Sequence, residues 1–153
     1  MPLTPPGPMS SSPRDPALGP YTEVVIPSDP TEARRVQEQI ERLLESRATG
    51  EHDLFGIKLA LEEALVNAIK HGNRGDPTKE ARLRFHANPE FVLLEVEDDG
   101  AGFDPSLVPD PLAPENLERP SGRGLFLIRQ YMTWMEHNER GNCITMCKHR
   151  TAG

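Results

Sequence analysis

The sequence predicts a single domain of the α+β class, and three observations lead to that prediction. Two segments between residues 31 and 70 carry apolar side chains at helical spacing. Between residues 82 and 97, two strand-like segments flank a short turn, which predicts a β-hairpin. A chain of 153 residues is long enough for one domain with a real core and too short for two ordinary domains. One function is therefore expected from one small domain.

The N-terminal half is predicted to hold a tail, a strand and two helices. Seven prolines and a serine run predict a disordered tail over 1–20, with a proline-motif ligand as the alternative, and the domain itself over 21–150. Val24–Ile26 is typical of a strand. An Asp-Pro cap then predicts a helix over Thr31–Ser46, and a second helix is expected over Asp53–Lys70.

The C-terminal half is predicted to be mainly β-structure with one more helix. Arg82–His86 and Phe91–Glu97 are the two strands of the expected hairpin. Five prolines between residues 104 and 120 indicate a long irregular connection, either a lid or disorder. A third helix is expected after Gly124, and a final hairpin over 134–147 should complete the sheet.

Composition and charge exclude several classes of function. A net charge of −7 and a pI near 5.2 argue against nucleic acid as a partner, because such a partner requires a surface that neutralises phosphates. The sequence has no run near the ~18 apolar residues of a membrane span and no signal-peptide pattern, so we expect no membrane association and a cytoplasmic location. Cys143 and Cys147 lie four residues apart in an extended segment, roughly 13 Å between Cα atoms. Since a disulfide needs less than ~7 Å, two free thiols in a reducing compartment are expected.

The first candidate motif lies in the second predicted helix. Glu63, Asn67 and His71 recur every fourth residue, which places them in one row beside the apolar stripe. Such a row can face a cleft or can be a solvated helix edge, and the residues alone leave both interpretations open. A carboxylate and a carboxamide one turn apart offer a general base and an oxygen ligand of the kind that Mg²⁺ accepts. Glu62 points roughly 100° away from Glu63, so the two cannot serve the same site.

The second candidate motif follows the second strand of the hairpin. Asp98 stands at the carboxyl end of that strand, and Gly100 and Gly102 follow it. A carboxylate there can accept a hydrogen bond from an exocyclic amino group such as that of adenine, and the glycines allow a ligand to approach the backbone. An ordinary Asp-Gly turn is the alternative.

The third candidate motif precedes the last predicted helix. Gly122 and Gly124 flank Arg123 at the expected helix N-terminus, where backbone N–H groups favour an anion. The segment is neither a P-loop nor a Rossmann turn, because the lysine and the preceding strand that define them are absent. Arg123 either contacts a phosphate or is simply a solvent-exposed side chain of the turn. The three motifs together predict ATP binding.

In this order, the three motifs resemble those of the GHKL ATPase superfamily, and most closely those of bacterial anti-sigma factor serine kinases. The matching patterns are Glu63-x-x-x-Asn67-Ala-Ile-x-His71-Gly, Asp98-x-Gly100-x-Gly102 and Gly122-x-Gly124-Leu. The resemblance covers residues 21–150. It implies a two-layer α/β sandwich, with helices on one face of a mixed, mostly antiparallel sheet and ATP bound between helices and lid.

The resemblance also implies roles for individual residues. Glu63 would be the catalytic base that activates the attacking hydroxyl, Asn67 would hold Mg²⁺, and Asp98 would bind the amino group of adenine. A threonine near the end of the family's chains, close to adenine, resembles Thr145. The implied ATP-binding residues are Asn67, His71, Asp98, Gly100, Gly102, Gly122, Arg123, Gly124 and Thr145.

The function implied by this resemblance is that of an ATP- and Mg²⁺-dependent serine/threonine protein kinase acting as an anti-sigma factor. It would phosphorylate a serine on a small anti-anti-sigma protein of the STAS type and bind a sigma factor in a partner-switching system, and a homodimer is compatible with this scheme. The alternative is a nucleotide-sensing binding module of the same fold without phosphotransfer activity.

Overall fold

The computed structural model describes residues 21–46, 49–100 and 120–150, which form a five-stranded sheet with helices packed on it. The strands are β1 (Thr22–Pro27), β2 (Glu80–Ala87), β3 (Phe91–Asp98), β4 (Trp134–His137) and β5 (Cys143–His149). The helices are α1 (Pro30–Ser46), α2 (Glu51–Val66) and α3 (Pro120–Tyr131), and a π-helical turn over Asn67–Gly72 continues α2. The predicted α+β class is confirmed. The predicted tail over 1–20 lies outside the described residues.

The sheet has the order β1-β2-β3-β5-β4, and each pairing between described strands is antiparallel. The predicted hairpin is formed by β2 and β3, with Leu83 opposite Val96. Strand β5 lies on the other side of β3, with Thr145 opposite Glu95. Because side chains alternate along a strand, each strand has one row facing the helices and one row on the outer face of the sheet.

Helix α1 begins where its cap predicts. The Thr31 N–H donates to Asp29 Oδ1 at 2.9 Å, and Pro30 occupies the first helical position, where its missing N–H costs no hydrogen bond. The apolar stripe is buried in the core through Ala33, Val36, Ile40 and Leu44. Each large apolar side chain buried there contributes about 1.5 to 3 kcal/mol, so the stripe holds α1 onto the domain.

The main core lies between the helices and the inner face of the sheet. Its strand residues belong to the inward rows of β1, β2, β3 and β5, and its helix residues come from α1, α2, the π-helical turn and α3. The fully buried members include Ile26, Ile57, Leu61, Leu83, Leu94, Ile128 and Met146. The helices thus cover one face of the sheet, as the two-layer sandwich requires.

The outer face of the sheet carries an unexpected buried charge. Arg84 is 1% exposed, and its Nε donates to Glu95 Oε1 at 2.7 Å. Its Nη1 reaches Glu23 and its Nη2 reaches Glu97, each at 3.2 Å. Burial disfavours the charged guanidinium, but the neighbouring carboxylates, Glu95 foremost and Glu23 with it, together raise the pKa of Arg84 above its ordinary value. Carboxylates from two neighbouring strands therefore hold Arg84 on the outer face.

Both cysteines also lie on the outer face, and the side chains of both are buried. Cys143, Thr145 and Cys147 lie in one row along β5, because residues two apart in a strand share a face. Burial raises the pKa of Cys147 to about 12, so its thiol stays protonated. Within the described ranges, no helix is both long and apolar enough to cross a membrane.

Candidate active site

The site begins where α2 changes from α-helical to π-helical geometry. The helix was predicted to run to Lys70, but a π-helical turn replaces its end from Asn67 onward. The Asn73 N–H donates to Ala68 O at 2.8 Å, an i to i−5 bond that adds one residue to the turn. Such turns occur frequently at functional sites.

This turn separates His71 from the other two residues of the first motif. Glu63 and Asn67 stay one α-helical turn apart, because the Asn67 N–H still donates to Glu63 O. Both side chains are half-buried, whereas Glu62 and His71 are exposed. The extra residue means that His71 does not continue the row at i+8, so the three-residue row predicted from α-helical spacing is corrected to the pair Glu63 and Asn67.

The π-helical turn brings Gly72 against the carboxylate of Asp98. A Cβ atom at Gly72 would lie closer than 3.0 Å to three carboxyl atoms of Asp98. A Cβ atom at Gly100 would likewise collide with the Gly72 carbonyl and with Asp98 Oδ1. Backbone and carboxylate therefore meet in a space that only glycine permits at these two positions. The sequence analysis assigned Gly100 to the approach of a ligand to the backbone, and it gave Gly72 only as the last residue of the first motif.

Asp98 ends β3 on the helix-facing side of the sheet and is 8% exposed. Its Oδ1 accepts the Gly100 N–H at 2.8 Å. Burial raises the pKa of Asp98, with Asp99 and Glu97 adding to the effect, while the Gly100 N–H and Arg140 oppose it. The result is a buried, preoriented hydrogen-bond acceptor, which is the chemistry that recognition of an exocyclic amino group requires.

Two asparagines that the sequence analysis missed hold the backbone around Asp98. Asn142 exchanges two bonds with Asp98, since its Nδ2 donates to Asp98 O and its own carbonyl accepts the Asp98 N–H, each at 2.9 Å. Asn73 accepts the Asp99 N–H at 2.8 Å. Both asparagines are buried. Each lies in a polar turn of the sequence, where asparagine is common because its side chain bonds to the backbone of the turn itself, so the sequence did not indicate a role at the site.

Thr145 is not beside Asp98. It lies on the outer face of the sheet, where its hydroxyl donates to Glu95 Oε2 at 2.9 Å. Asp98 belongs to the helix-facing row of β3, because it alternates with Glu95 and Glu97 on the outer row. The expectation of Thr145 near adenine is therefore corrected, and the β5 end of the site is provided by Asn142.

The glycine motif lies inside a helix. Helix α3 begins at Pro120, so Gly122, Arg123 and Gly124 fall in its first turns instead of preceding it as predicted. Proline at the first helical position is favourable, which accounts for the earlier start. Gly102 lies outside the described residues.

Comparison with known proteins identifies the fold family. Residues 26–148 match the family described as histidine kinase-like ATPase domain. The chain belongs to this family. The predicted membership of the histidine kinase-like ATPase family is thereby confirmed.

Relatives of this histidine kinase-like ATPase are named as protein kinases. The serine-protein kinase RsbW of Listeria innocua is 29% identical over 100 residues, 61% of this chain and 64% of that protein. RsbW of Oceanobacillus iheyensis is 24% identical over 136 residues, 84% of this chain and 86% of that protein. The serine/threonine-protein kinase BtrW of Bordetella bronchiseptica is 28% identical over 99 residues, 62% of this chain and 70% of that protein.

The polar groups around Asp98 in this histidine kinase-like ATPase fit the base of a nucleotide. The buried Asp98 carboxylate, with Gly72 and Gly100 packed against it, provides an acceptor for the amino group of a base. Within the described residues, no group of three or more His, Cys, Asp or Glu side chains is placed to hold a metal ion. Asn67 fits a site in which Mg²⁺ takes one protein oxygen and otherwise phosphate and water oxygens.

Proposed function

We propose that this chain is an ATP- and Mg²⁺-dependent serine/threonine protein kinase that acts as an anti-sigma factor. Its substrate would be a serine on a small STAS-type anti-anti-sigma protein, and its second partner a sigma factor. The observation that carries the proposal is the buried Asp98 carboxylate enclosed by two glycines, in a member of the histidine kinase-like ATPase family. The names of the relatives support the kinase class.

In this proposal, Asp98 selects adenine and Asn67 supplies a ligand to Mg²⁺, which would neutralise charge on the phosphates. Glu63 accepts the proton of the substrate serine while the serine oxygen forms a bond to the γ-phosphorus and the bond to ADP breaks. Glu63 near the end of α2 and Asn67 at the start of the π-helical turn lie one helical turn apart, so base and metal ligand face the same side. Phosphoryl transfer is mostly positioning and charge stabilisation, so few protein groups suffice.

The test separates nucleotide binding from transfer. We expect Glu63→Ala to keep ATP affinity within a few fold and to slow transfer by about 10²-fold or more, the usual effect of losing a positioned base. The assay follows label from γ-labelled ATP to STAS-type proteins of the same genome, and calorimetry measures ATP affinity.

The matched control for this experiment is Glu62→Ala. Glu62 has the same side chain one position earlier and is exposed, whereas Glu63 is half-buried, so Glu62→Ala should leave transfer almost unchanged. Equal losses from the two variants, or full transfer without Glu63, would contradict its role as base. ATP binding without transfer to any STAS-type protein would favour the nucleotide-sensing module.

A further inference from the structure

Asn73 is a fully buried polar residue immediately after the π-helical turn, at 0% exposure. Its Oδ1 accepts the Asp99 N–H at 2.8 Å, and its Nδ2 donates to Ser28 Oγ at 3.0 Å. The Ser28 hydroxyl in turn donates to Lys79 O at 2.8 Å. One side chain therefore ties the end of α2 to the end of β3 and to the corner that follows β1.

The backbone of Asn73 is held as firmly as its side chain. Its N–H closes the π-helical turn on Ala68 O at 2.8 Å, and its carbonyl accepts the Asp76 N–H at 3.0 Å. Since Gly72 precedes Asn73 directly, the same anchor fixes how closely Gly72 approaches Asp98. A fully buried carboxamide with both ends bonded is costly to disturb, because its partners would be left unsatisfied.

The Asp99 N–H, which donates to Asn73, belongs to the turn that presents the Asp98 carboxylate. Asp99 lies between Asp98 and Gly100, whose N–H binds Asp98 Oδ1. The Asp99 side chain is held separately, by Arg82 Nη2 at 2.6 Å and by the Glu80 N–H at 2.9 Å. Within the described part of the chain, Asn73 is thus the side-chain acceptor for the Asp99 N–H, on the side of the turn that faces the π-helical segment.

We propose that Asn73 is a positioning residue for adenine selection: it holds the Asp98–Gly100 turn through the Asp99 N–H and so orients the Asp98 carboxylate. The inference rests on the proposed function, because it assumes that Asp98 reads the amino group of the base. Asn73 itself touches no part of the nucleotide in this scheme. Its loss should therefore reduce the preference for adenine and leave the affinity for the phosphates largely intact.

Comparison of ATP with ITP tests this role, because ITP carries a carbonyl oxygen where ATP carries the amino group. The wild-type protein should prefer ATP. Asn73→Ala should weaken ATP binding about tenfold, the usual scale for a badly placed polar partner, and change ITP binding by less than about threefold. Calorimetry on the full chain measures both affinities, and amide hydrogen exchange at Asp99 should become faster.

The matched control is Asn88→Ala at the opposite end of the same hairpin. Asn88 Oδ1 accepts the Glu90 and Phe91 N–H groups at 2.8 and 2.9 Å, so Asn88 caps a turn in the same way as Asn73 but far from Asp98. This variant should lower the melting temperature and keep the preference for ATP. A general loss of stability would therefore not imitate the expected result.

A second variant keeps the test decisive if Asn73→Ala does not fold. Ser28→Ala removes the acceptor of Asn73 Nδ2 together with the bond from Ser28 to Lys79 O, and it should reduce the preference for ATP in the same direction by a smaller factor. An unchanged preference in the folded variant overturns the inference. If Asp98→Ala abolishes the preference while Asn73→Ala keeps it, only the role of Asn73 fails. If the wild type shows no preference for ATP, the adenine assignment of Asp98 fails and the inference fails with it.

Discussion

Asp98 combines two opposing requirements in a single carboxyl group. The ionised carboxylate is the stronger acceptor for an amino group, yet burial and the neighbouring acids Asp99 and Glu97 raise the pKa of Asp98. The Gly100 N–H and Arg140 offset part of this effect. The folded protein therefore binds a proton at Asp98 more readily than the unfolded chain does, and ionisation of Asp98 opposes folding.

The sign of this effect gives a prediction for Asp98→Asn. The cost of the ionised carboxylate is absent below the unfolded pKa, near 3.9, and is complete above the raised folded pKa. At neutral pH the variant should therefore melt at the same temperature as the wild type or higher, and this advantage should vanish in acid. ATP affinity should fall about tenfold, because the amide can no longer offer two acceptor oxygens. Thermal melts between pH 3 and 8 with calorimetry would check both; a lower melting temperature together with intact affinity would contradict the assignment.

Sequence patterns predicted some site residues and missed others, depending on whether the contacts of the residue are local in the sequence. Asp98 and Gly100 were predictable because a carboxylate and a glycine at a strand end have a direct chemical use. Thr145 was matched to its place near adenine by its position along the chain, whereas the alternation of side chains along β5 places it on the outer face with Glu95. Asn73 was missed because its partners, Asp99 and Ser28, are 26 and 45 residues away.

At the level of single elements, the π-helical turn is the feature that the sequence did not predict. The apolar spacing of α2 predicts a helix, and spacing alone does not distinguish an i to i−4 bond from an i to i−5 bond. The difference decides where Gly72 lies, and therefore whether backbone can pack on Asp98. The helix stripe of α1 and the hairpin of β2 and β3 were predictable, because their patterns extend over many residues.

Gly72→Ala tests the importance of this close approach. A Cβ atom there would collide with the carboxyl group of Asp98, so either the π-helical turn or the carboxylate must move. We expect ATP affinity to fall about tenfold or more and the free energy of unfolding to fall by about 1 to 3 kcal/mol, the scale of an overpacked site. The measurements are calorimetry and urea denaturation.

Gly50→Ala provides the matched control for this substitution. Gly50 precedes α2 with φ −61°, and a Cβ atom there would meet nothing within 4 Å. The same change at this position should leave ATP affinity unchanged. Wild-type affinity in Gly72→Ala would show that the glycine is not needed beside Asp98.

On the scale of the whole molecule, the two faces of the sheet have separate tasks. The inner face packs on the helices and ends at Asp98, where the candidate site lies. The outer face holds Arg84 with Glu95, both almost fully buried, and Thr145 bonds to the same carboxylate.

Arg82 joins the two regions, since it pairs with Glu97 on the outer face and with Asp99 beside the site. In the part of the chain that the structure describes, Arg84 bonds to Glu23, Glu95 and Glu97 and not to the turn at Asp98. We therefore infer that it stabilises the sheet without selecting the nucleotide.

Arg84→Ala should therefore change stability and leave base selection unchanged. Removing one partner of a buried ion pair leaves the other charge uncompensated, which costs about 3 to 5 kcal/mol of unfolding free energy. The control is Arg35→Ala, whose ion pair with Glu32 has a similar length of 2.7 Å but is exposed, so its loss should cost less than about 1 kcal/mol. Replacing both partners, as Arg84→Met with Glu95→Leu, should recover most of the lost stability, because no buried charge is then left alone. Urea denaturation measures the free energies and calorimetry measures the ratio of ATP to ITP affinity; a changed ratio in folded Arg84→Ala would show that the outer face also controls the site.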